Sequence, residues 1–433
     1  MAARFLHAAD IHLGFMQYNC TERFNDFGRA FFAVIDDAIA RRVDFVALAG
    51  DLFNKRAIDP PTLLQATAAL ERLQAAGIPA IAIEGNHERS YYNEGFTWLD
   101  YLAEVDLLTL LTPIYAQGQM ALAPWDARAH SGAYIDLPCG VRVIGARYAG
   151  ASTGRLVQDL AGALAALPGP RPAYTVLMLH AGVQGVLDQY SGTLSRAQLE
   201  QLRPYVDYLA LGHIHKPFIQ DDWIYNPGSL ETNSTGEVEW ADRGYFVVDV
   251  EPGHVPAHHV TRVRGRRREF VRLRFEVDAW PDPEALCAQV QAYLQREANG
   301  RAGGAADKPV VELQLVGILP FNHGDLDVKR IEGLVNECFS PLLCNVRDNT
   351  TPNDFEIGTG DNLSRAELEQ YVLRELLERD ARRRERSGEW ANLVLRLKNL
   401  ALSGGSPGEI TAELRAFHDG AGPCAAGEEE APC

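Results

Sequence analysis

Short runs of consecutive apolar residues, each ending in a polar cluster, punctuate the first half of the chain. Phe5–Ala9 runs into Asp10-Ile11-His12-Leu13-Gly14, Val43–Ala49 into Gly50-Asp51-Leu52-Phe53, and Ile78–Ile83 into Glu84-Gly85-Asn86-His87-Glu88. Apolar runs of this length without alternation suit strands buried on both faces. Between them, Phe24, Phe27, Phe31, Ile35 and Ile39 recur at helical spacing over 21–42, and Pro60 and Pro61 open a second helix reaching Leu73. Strand–helix repeats with polar strand exits predict an α/β domain whose site lies beyond the carboxyl ends of its strands.

Downstream the pattern is richer in strands. Segments 141–147, 174–179 (ending at His180) and 206–211 (ending in Gly212-His213-Ile214-His215) read as buried strands. Trp223–Tyr225 leads into the turn Asn226-Pro227-Gly228-Ser229, and Gly244–Val250 reads as the last strand of a domain over 1–251. Ser195 and Gln198 have the spacing of a helix capping box, which Ser364 and Glu367 repeat.

Composition then shifts. Residues 252–269 read as a basic linker, with Arg262, Arg264, Arg266, Arg267, Arg268, Arg272 and Arg274 opposed locally only by Glu269. This run either tracks a nucleic-acid backbone or is the solvated face of an exposed strand. Over 270–350, strand 270–277, helix 283–297, a Gly/Ala-rich turn at 299–306, strand 309–316, helix 325–338 and strand 342–347 predict a smaller βαβαβ cap domain. Residues 362–418 read as a helical segment, with Leu393, Leu397 and Leu400 as its stripe, Arg382–Arg384 as a basic cluster and a break at 403–408. The acidic tail 419–433 reads as disordered.

The 433 residues, 46% hydrophobic, are enough for two or three domains, and no apolar run is long enough to span a membrane. The N-terminus lacks a signal peptide's apolar core, and seven scattered cysteines without a CxxC pair read as reduced thiols. A cytoplasmic protein is expected. Its net charge of −17 argues against nonspecific nucleic-acid binding. The uneven spread of that charge, and local neutralisation of acidic residues by divalent metals, weaken the objection.

The candidate chemistry sits at the strand exits: Asp10, His12, Asp51, Asn86, His87, His180, His213 and His215. Asp10 and His12, like His213 and His215, are two residues apart, which puts both side chains on one face of an extended segment. Carboxylate, amide and imidazole without thiolate suit divalent manganese, iron or zinc rather than a structural zinc site. Two such ions about 3.5–4 Å apart can clamp both oxygens of an in-line phosphoryl displacement and activate water. Asp51, behind Gly50 at the tip of the central strand, is the natural bridging carboxylate.

Asp10-x-His12, Gly50-Asp51, Gly85-Asn86-His87-Glu88, His180 and Gly212-His213-x-His215 resemble, in order, the motifs of calcineurin-like metallophosphoesterases, over roughly residues 4–250. The resemblance implies a four-layer sandwich, two packed β-sheets flanked by helices. It assigns one metal to Asp10, His12, Asp51 and His215, the other to Asp51, Asn86, His180 and His213, and makes His87 the group that protonates the leaving oxygen or stabilises the transition state. The stretches 7–14, 50–53, 210–216 and Asn226–Glu231 are similar to the DNA-repair exonuclease branch, the bacterial SbcD-like subunits and their archaeal and eukaryotic double-strand-break counterparts. That branch implies two manganese ions, a DNA substrate, a cap that contacts DNA, a homodimer and an SbcC-like coiled-coil ABC ATPase that docks on the helical segment.

Asn54 departs from the branch, whose archaeal and eukaryotic members carry a phosphate-orienting histidine there. Asparagine can donate a hydrogen bond but holds no charge, which leaves the exonuclease–endonuclease balance open. Asn54, Arg264, Arg266 and Arg267 are the expected phosphate contacts. Tyr91, Tyr92 and Trp98 either stack on a base or pack the next helix. Leu63, Leu64, Leu99 and Leu102 fit a dimer face or the core. Two alternatives stay open: a phosphatase or phosphodiesterase acting on small phosphoesters, and a noncatalytic DNA-end scaffold. The protein-phosphatase branch expects Asp-Arg-Gly after its second motif, where this chain has Asp51-Leu52-Phe53-Asn54. A scaffold would have lost ligands or His87, and all are present.

Overall fold

The computed structural model describes residues 2–89, 95–187, 193–301, 307–352, 365–378, 383–403 and 405–418. The chain opens with β1 (Ala3–Ala8), α1 (Thr21–Arg41), β2 (Phe45–Leu48), α2 (Pro60–Ala75), β3 (Ala80–Ala82) and α3 (Trp98–Glu104). Short strands β4 (Thr109–Leu110), β5 (Ile114–Ala116), β6 (Gln119–Ala121) and β7 (Tyr134–Asp136) precede β8 (Val141–Ala146), α4 (Thr153–Ala165) and β9 (Tyr174–His180). Then come α5 (Arg196–Glu200), β10 (Tyr208–Gly212), β11 (Phe218–Gln220), β12 (Ile224–Asn226), β13 (Gly244–Val250) and β14 (His258–Arg264).

Local chemistry sets the helix ends. The Asp59 carboxylate accepts from Thr62 N at 3.0 Å ahead of the prolines of α2, and the Ser195–Gln198 capping box closes reciprocally on α5. The strands form two six-stranded sheets, ordered β14-β13-β1-β2-β3-β4 and β11-β12-β10-β9-β8-β7. Because both faces of each sheet are covered, successive residues enter different cores. Phe5, Phe45 and Ala47 meet Val143, Tyr174, Val176 and Tyr208 between the sheets. Leu6, Ala8, Val46 and Leu48 pack on α1 and α2, while Ile144, Leu177 and Leu209 pack on Val157 and Leu160 of α4. This is the expected four-layer sandwich. Each large side chain buried there contributes roughly 1.5–3 kcal/mol.

Two expectations need correction. Within 252–269 the segment His258–Arg264 is a strand rather than linker, and β13 is not the last strand of the sandwich: β14 pairs antiparallel with β13 from Gly244↔Arg264 to Val250↔His258. Half-buried Val260 and Val263 among exposed polar residues carry this edge, and the charged side chains discourage further pairing. Leu99 and Leu102 are fully buried in the core and cannot serve a dimer face, whereas Leu64 is exposed.

The cap follows as β15 (Phe270–Glu276), α6 (Pro283–Asn299), β16 (Val310–Leu319), α7 (Val328–Phe339) and β17 (Leu343–Pro352), with sheet order β15-β16-β17. Its core is its own, built on Val271, Leu273, Leu286, Val290, Leu313 and Ile331. Residues 1–351 form one compact unit and 352–433 a second. The second unit contains α8 (Arg365–Glu378), α9 (Ser387–Leu402) and α10 (Pro407–His418), where Trp390 stacks edge-on against Phe417 and Lys398 pairs with Glu369. Ser364 and the 419–433 tail lie outside the described residues. No helix among the described residues is long and apolar enough to cross a membrane.

Candidate metal centre

The exits of β1, β2, β3, β9 and β10 converge at one end of the two sheets. Backbone hydrogen bonds lace the first two exits together, from Asp10 N to Gly50 O (3.1 Å) and from Ile11 N and His12 N to Asp51 O (2.9 and 3.0 Å). Glu88 staples the second exit to the third: its buried carboxylate accepts from Asp51 N (3.1 Å), Phe53 N (2.8 Å) and Gly85 N (2.8 Å). Burial first, then the neighbouring Asp51 charge, pushes Glu88 up to about 8. The glycines in these motifs are spacers. A Cβ on Gly50 would sit 2.4 Å from His180 Nδ1, and one on Gly85 would sit 2.1 Å from Asp51 Oδ1.

All eight expected side chains meet here, although not by alternation along extended strands. Asp10, His12, Asp51 and His213 have φ of 53°, 54°, 53° and 92°, left-handed conformations that cost a non-glycine residue about 1–3 kcal/mol each. The expected i, i+2 face is therefore not what brings these residues together: tight turns past the strand ends aim them. His213 N donates to the Asp10 carboxylate at 3.0 Å, while His213 Nδ1 lies 2.8 Å from Asn86 Oδ1. His215 turns the other way, its Nε2 lying 3.0 Å from His12 Nε2.

The donor set fits divalent cations. His180 Nδ1 donates to Ala49 O at 2.8 Å, so its Nε2 presents a lone pair to Asn86 Oδ1 (3.1 Å) and Asp51 Oδ2 (3.2 Å). Electron-rich atoms converge this closely only around a proton or a metal ion. His215 Nδ1 likewise donates to Glu237 Oε1 at 2.8 Å, the carboxylate–histidine support usual behind a metal-binding imidazole. Ligand atoms of Asp10, His12 and His215 lie within 4.8 Å of one another, as do those of Asp10, Asp51 and His180 and those of His12, Asp51 and His87. Burial pushes His213 down to about 3 and also lowers His12, keeping both neutral as ligands must be. At His180 burial acts downward, but the Asp51 carboxylate outweighs it and lifts the group to about 9, so without an ion a proton occupies the Nε2 position that a bound cation would take.

His87 differs from the rest. Its side chain is 38% exposed, with Nε2 3.9 Å from Asp51 Oδ2. Its Nδ1 donates to the backbone carbonyl of Asn54 at 2.8 Å. The contact from position 54 thus runs through a carbonyl that any residue there would supply.

Other supports were not legible as such. Glu237 lies 22 residues beyond His215, and no periodicity ties them. Arg243 Nη1 (2.6 Å) and Asn233 N (2.9 Å) hold its other oxygen. Asn226 Nδ2 donates to Ile214 O (2.6 Å) and Lys216 O (2.9 Å), clamping the loop on either side of His215, which explains the Asn-Pro-Gly-Ser turn.

The arginine run divides. Arg264 pairs with Asp242 and Arg266 with Asp307, both largely exposed. Arg267 donates to Ala241 O at 2.6 Å. Arg268 is buried on Asp26 of α1 at 2.6 Å. None of their hydrogen-bond or ion-pair partners among the described residues belongs to the metal cluster. Tyr91 and Tyr92 lie outside the described residues, and Trp98 is partly exposed against Tyr101.

This fold and its thiolate-free cluster define a phosphoesterase class. Residues 3–217 match the family model of the calcineurin-like phosphoesterases, and this part of the chain is a calcineurin-like phosphoesterase domain. Among curated proteins, the chain is similar to the DNA double-strand break repair protein Mre11 of Archaeoglobus fulgidus, 31% identical over 279 residues that cover 62% of this chain and 59% of that one. The protein of that name from Haloferax volcanii is 46% identical over 108 residues, 25% of this chain and 24% of that one. The one from Aeropyrum pernix is 27% identical over 340 residues, 70% and 78%. The chain thus spans less than two thirds of the Archaeoglobus and Haloferax relatives.

Proposed function

We propose that this chain is a DNA nuclease that depends on two divalent ions, manganese first among them, and works in the cytoplasm in DNA end processing. The convergence of eight ligand-type and proton-transferring side chains from five strand exits carries this reading, and the likeness to Mre11 proteins supports DNA as the substrate. Asp10, His12, Asp51 and His215 would hold one ion, and Asp51, Asn86, His180 and His213 the other. When bound, such ions neutralise phosphate charge and supply a nucleophilic water near neutral pH. The chain's own groups do the rest. Glu237 and Ala49 O fix the faces of His215 and His180. His87, held through Nδ1, gives an Nε2 proton to the oxygen that leaves as the P–O bond breaks. Arg264, Arg266 and Arg267, beside the cap, and the Asn54 side chain would meet flanking phosphates.

The test is degradation of linear single- and double-stranded DNA with manganese, beside hydrolysis of bis(p-nitrophenyl) phosphate. Metal-dependent cleavage of DNA that chelation abolishes is expected. Robust hydrolysis of the small diester with both DNAs intact would replace the nuclease by a small-phosphoester enzyme, and inertness toward everything would favour a scaffold.

The reading includes a homodimer and an SbcC-like ABC ATPase partner. Leu64, Trp98, Tyr101 and Val105 expose apolar surface on α2 and around α3, and Leu376, Val394 and Leu414 do so on the C-terminal helices. Light scattering should give twice the chain mass for the protein alone. Deleting residues 362–418 should abolish ATPase binding while manganese-dependent cleavage persists. A monomer, or retained binding, would remove the corresponding part.

A further inference from the structure

Beside the metal centre lies a cleft of about 410 Å³, walled by Glu84, Arg89, Tyr115, Arg147, Tyr148 and Arg155. It is built from the exits of β3 and β8, joined where Tyr148 N donates to Glu84 O at 2.9 Å. Tyr148 connects the two sites, its ring centroid 5.3 Å from that of His213 and 5.9 Å from that of His180. The far wall is fixed by Asp159, which accepts from Arg155 Nε at 2.9 Å and from Tyr115 Oη at 3.2 Å. Arg89 and Arg147 are different: both are exposed, and neither has a hydrogen bond or ion pair among the described residues, although both lie in the field of Glu84. In a chain of net charge −17, two uncommitted guanidiniums at the mouth of a metal centre mark where an anion is drawn in.

We infer that this cleft holds the unpaired nucleotide adjoining the scissile phosphate, with its own phosphate on Arg147 and Arg89 and its base against the Tyr148 and Tyr115 rings. The inference rests on the nuclease reading. The volume suits one nucleotide, since small-ligand pockets run about 300–1,000 Å³. Guanidinium forks match phosphate oxygens, and aromatic faces accept any base only when it is free of its partner strand. The cleft therefore favours a frayed or single-stranded end over an intact duplex.

The test uses the full chain and the double variant Arg89→Ala/Arg147→Ala. Binding of a labelled single-stranded oligonucleotide is followed in EDTA, and inhibition of bis(p-nitrophenyl) phosphate hydrolysis by deoxyadenosine monophosphate in manganese. The variant should bind the oligonucleotide at least fivefold more weakly, with a salt slope shallower by about 0.7, as expected when the one single-strand phosphate held by both guanidiniums is no longer neutralised. Inhibition by the mononucleotide should weaken in parallel, while kcat/KM for the small diester stays at the wild-type value. Arg147→Lys should recover part of the salt slope. An unchanged slope and unchanged inhibition in the variant would overturn the subsite even if wild type cleaves DNA. An equal loss on the small diester would overturn it too, by showing damage to the metal centre. Wild type that cleaves no DNA fails the parent reading separately, and the mononucleotide arm still decides the cleft.

Discussion

Replacing His87 by glutamine is expected to lower single-turnover DNA cleavage by about 10²–10⁴-fold, the usual contribution of a positioned acid or base, while two manganese ions still bind. Glutamine keeps much of the side chain's length and polarity but cannot release a proton to a leaving oxygen. The geometry separates the two effects. The Nε2 of His87 lies 3.9 Å from Asp51 Oδ2, whereas His180 Nε2 lies 3.2 Å from that same oxygen and His12 Nε2 3.0 Å from His215 Nε2. With its side chain 38% exposed, His87 is also open to a substrate, more so than Asp10, Asp51, His180 or His215. Metal stoichiometry by calorimetry and cleavage under single-turnover conditions check the prediction together. Cleavage within tenfold of wild type would strip His87 of the proton-transfer role. Lost ions would instead make it a ligand, consistent with the proximity of His12, Asp51 and His87.

Much of this candidate centre could be read from the chain because each candidate ligand follows an apolar run, and buried strands are the strongest local signal a sequence carries. The four layers follow from the same runs: residues such as Phe5 and Leu6 are apolar on successive positions because one enters the inter-sheet core and the other packs toward α1. The way the ligands are aimed was not legible. Left-handed turns at Asp10, His12 and Asp51 depend on backbone hydrogen bonds between the β1 and β2 exits, which no local pattern encodes. Glu237 was invisible for a similar reason, since its role arises only where Thr235–Glu239 folds back on the His215 loop. The arginine run shows the converse limit. Arg264 and Arg268 look alike in sequence, yet one lies on a solvated edge and the other is buried on Asp26, because only the latter meets a carboxylate from α1. Val260 and Val263 were the signal for the strand read as a linker, and the dense positive charge around them masked it.

Asp51→Asn should remove the metal pair while leaving the fold intact. Asp51 is 2% exposed and uses both oxygens: Oδ1 accepts from His87 N at 2.9 Å, and Oδ2 faces His180 Nε2 at 3.2 Å. Asparagine matches its shape and can still accept from His87 N. It then turns an NH₂ group toward His180, and one neutral oxygen cannot serve two cations as a carboxylate does. Altering a merely supporting partner already costs about 10–100-fold in metal affinity, so loss of the shared ligand should exceed about a hundredfold. Thermal unfolding reports this without relying on activity. An ion that binds only the folded state at a hundred times its Kd adds about 2.7 kcal/mol, so manganese should raise the Tm of wild type clearly and that of the variant little or not at all. Without metal the variant should unfold somewhat earlier than wild type: burial acts upward on the Asp51 carboxyl, but His180 foremost outweighs it and holds it well below the usual carboxylate range, a pairing that asparagine forfeits and that relief of buried Glu88 and Asp10 only partly offsets. A manganese-dependent Tm rise equal to that of wild type, with two ions bound and cleavage retained, would show that Asp51 is not the bridge and that the two ions are held some other way.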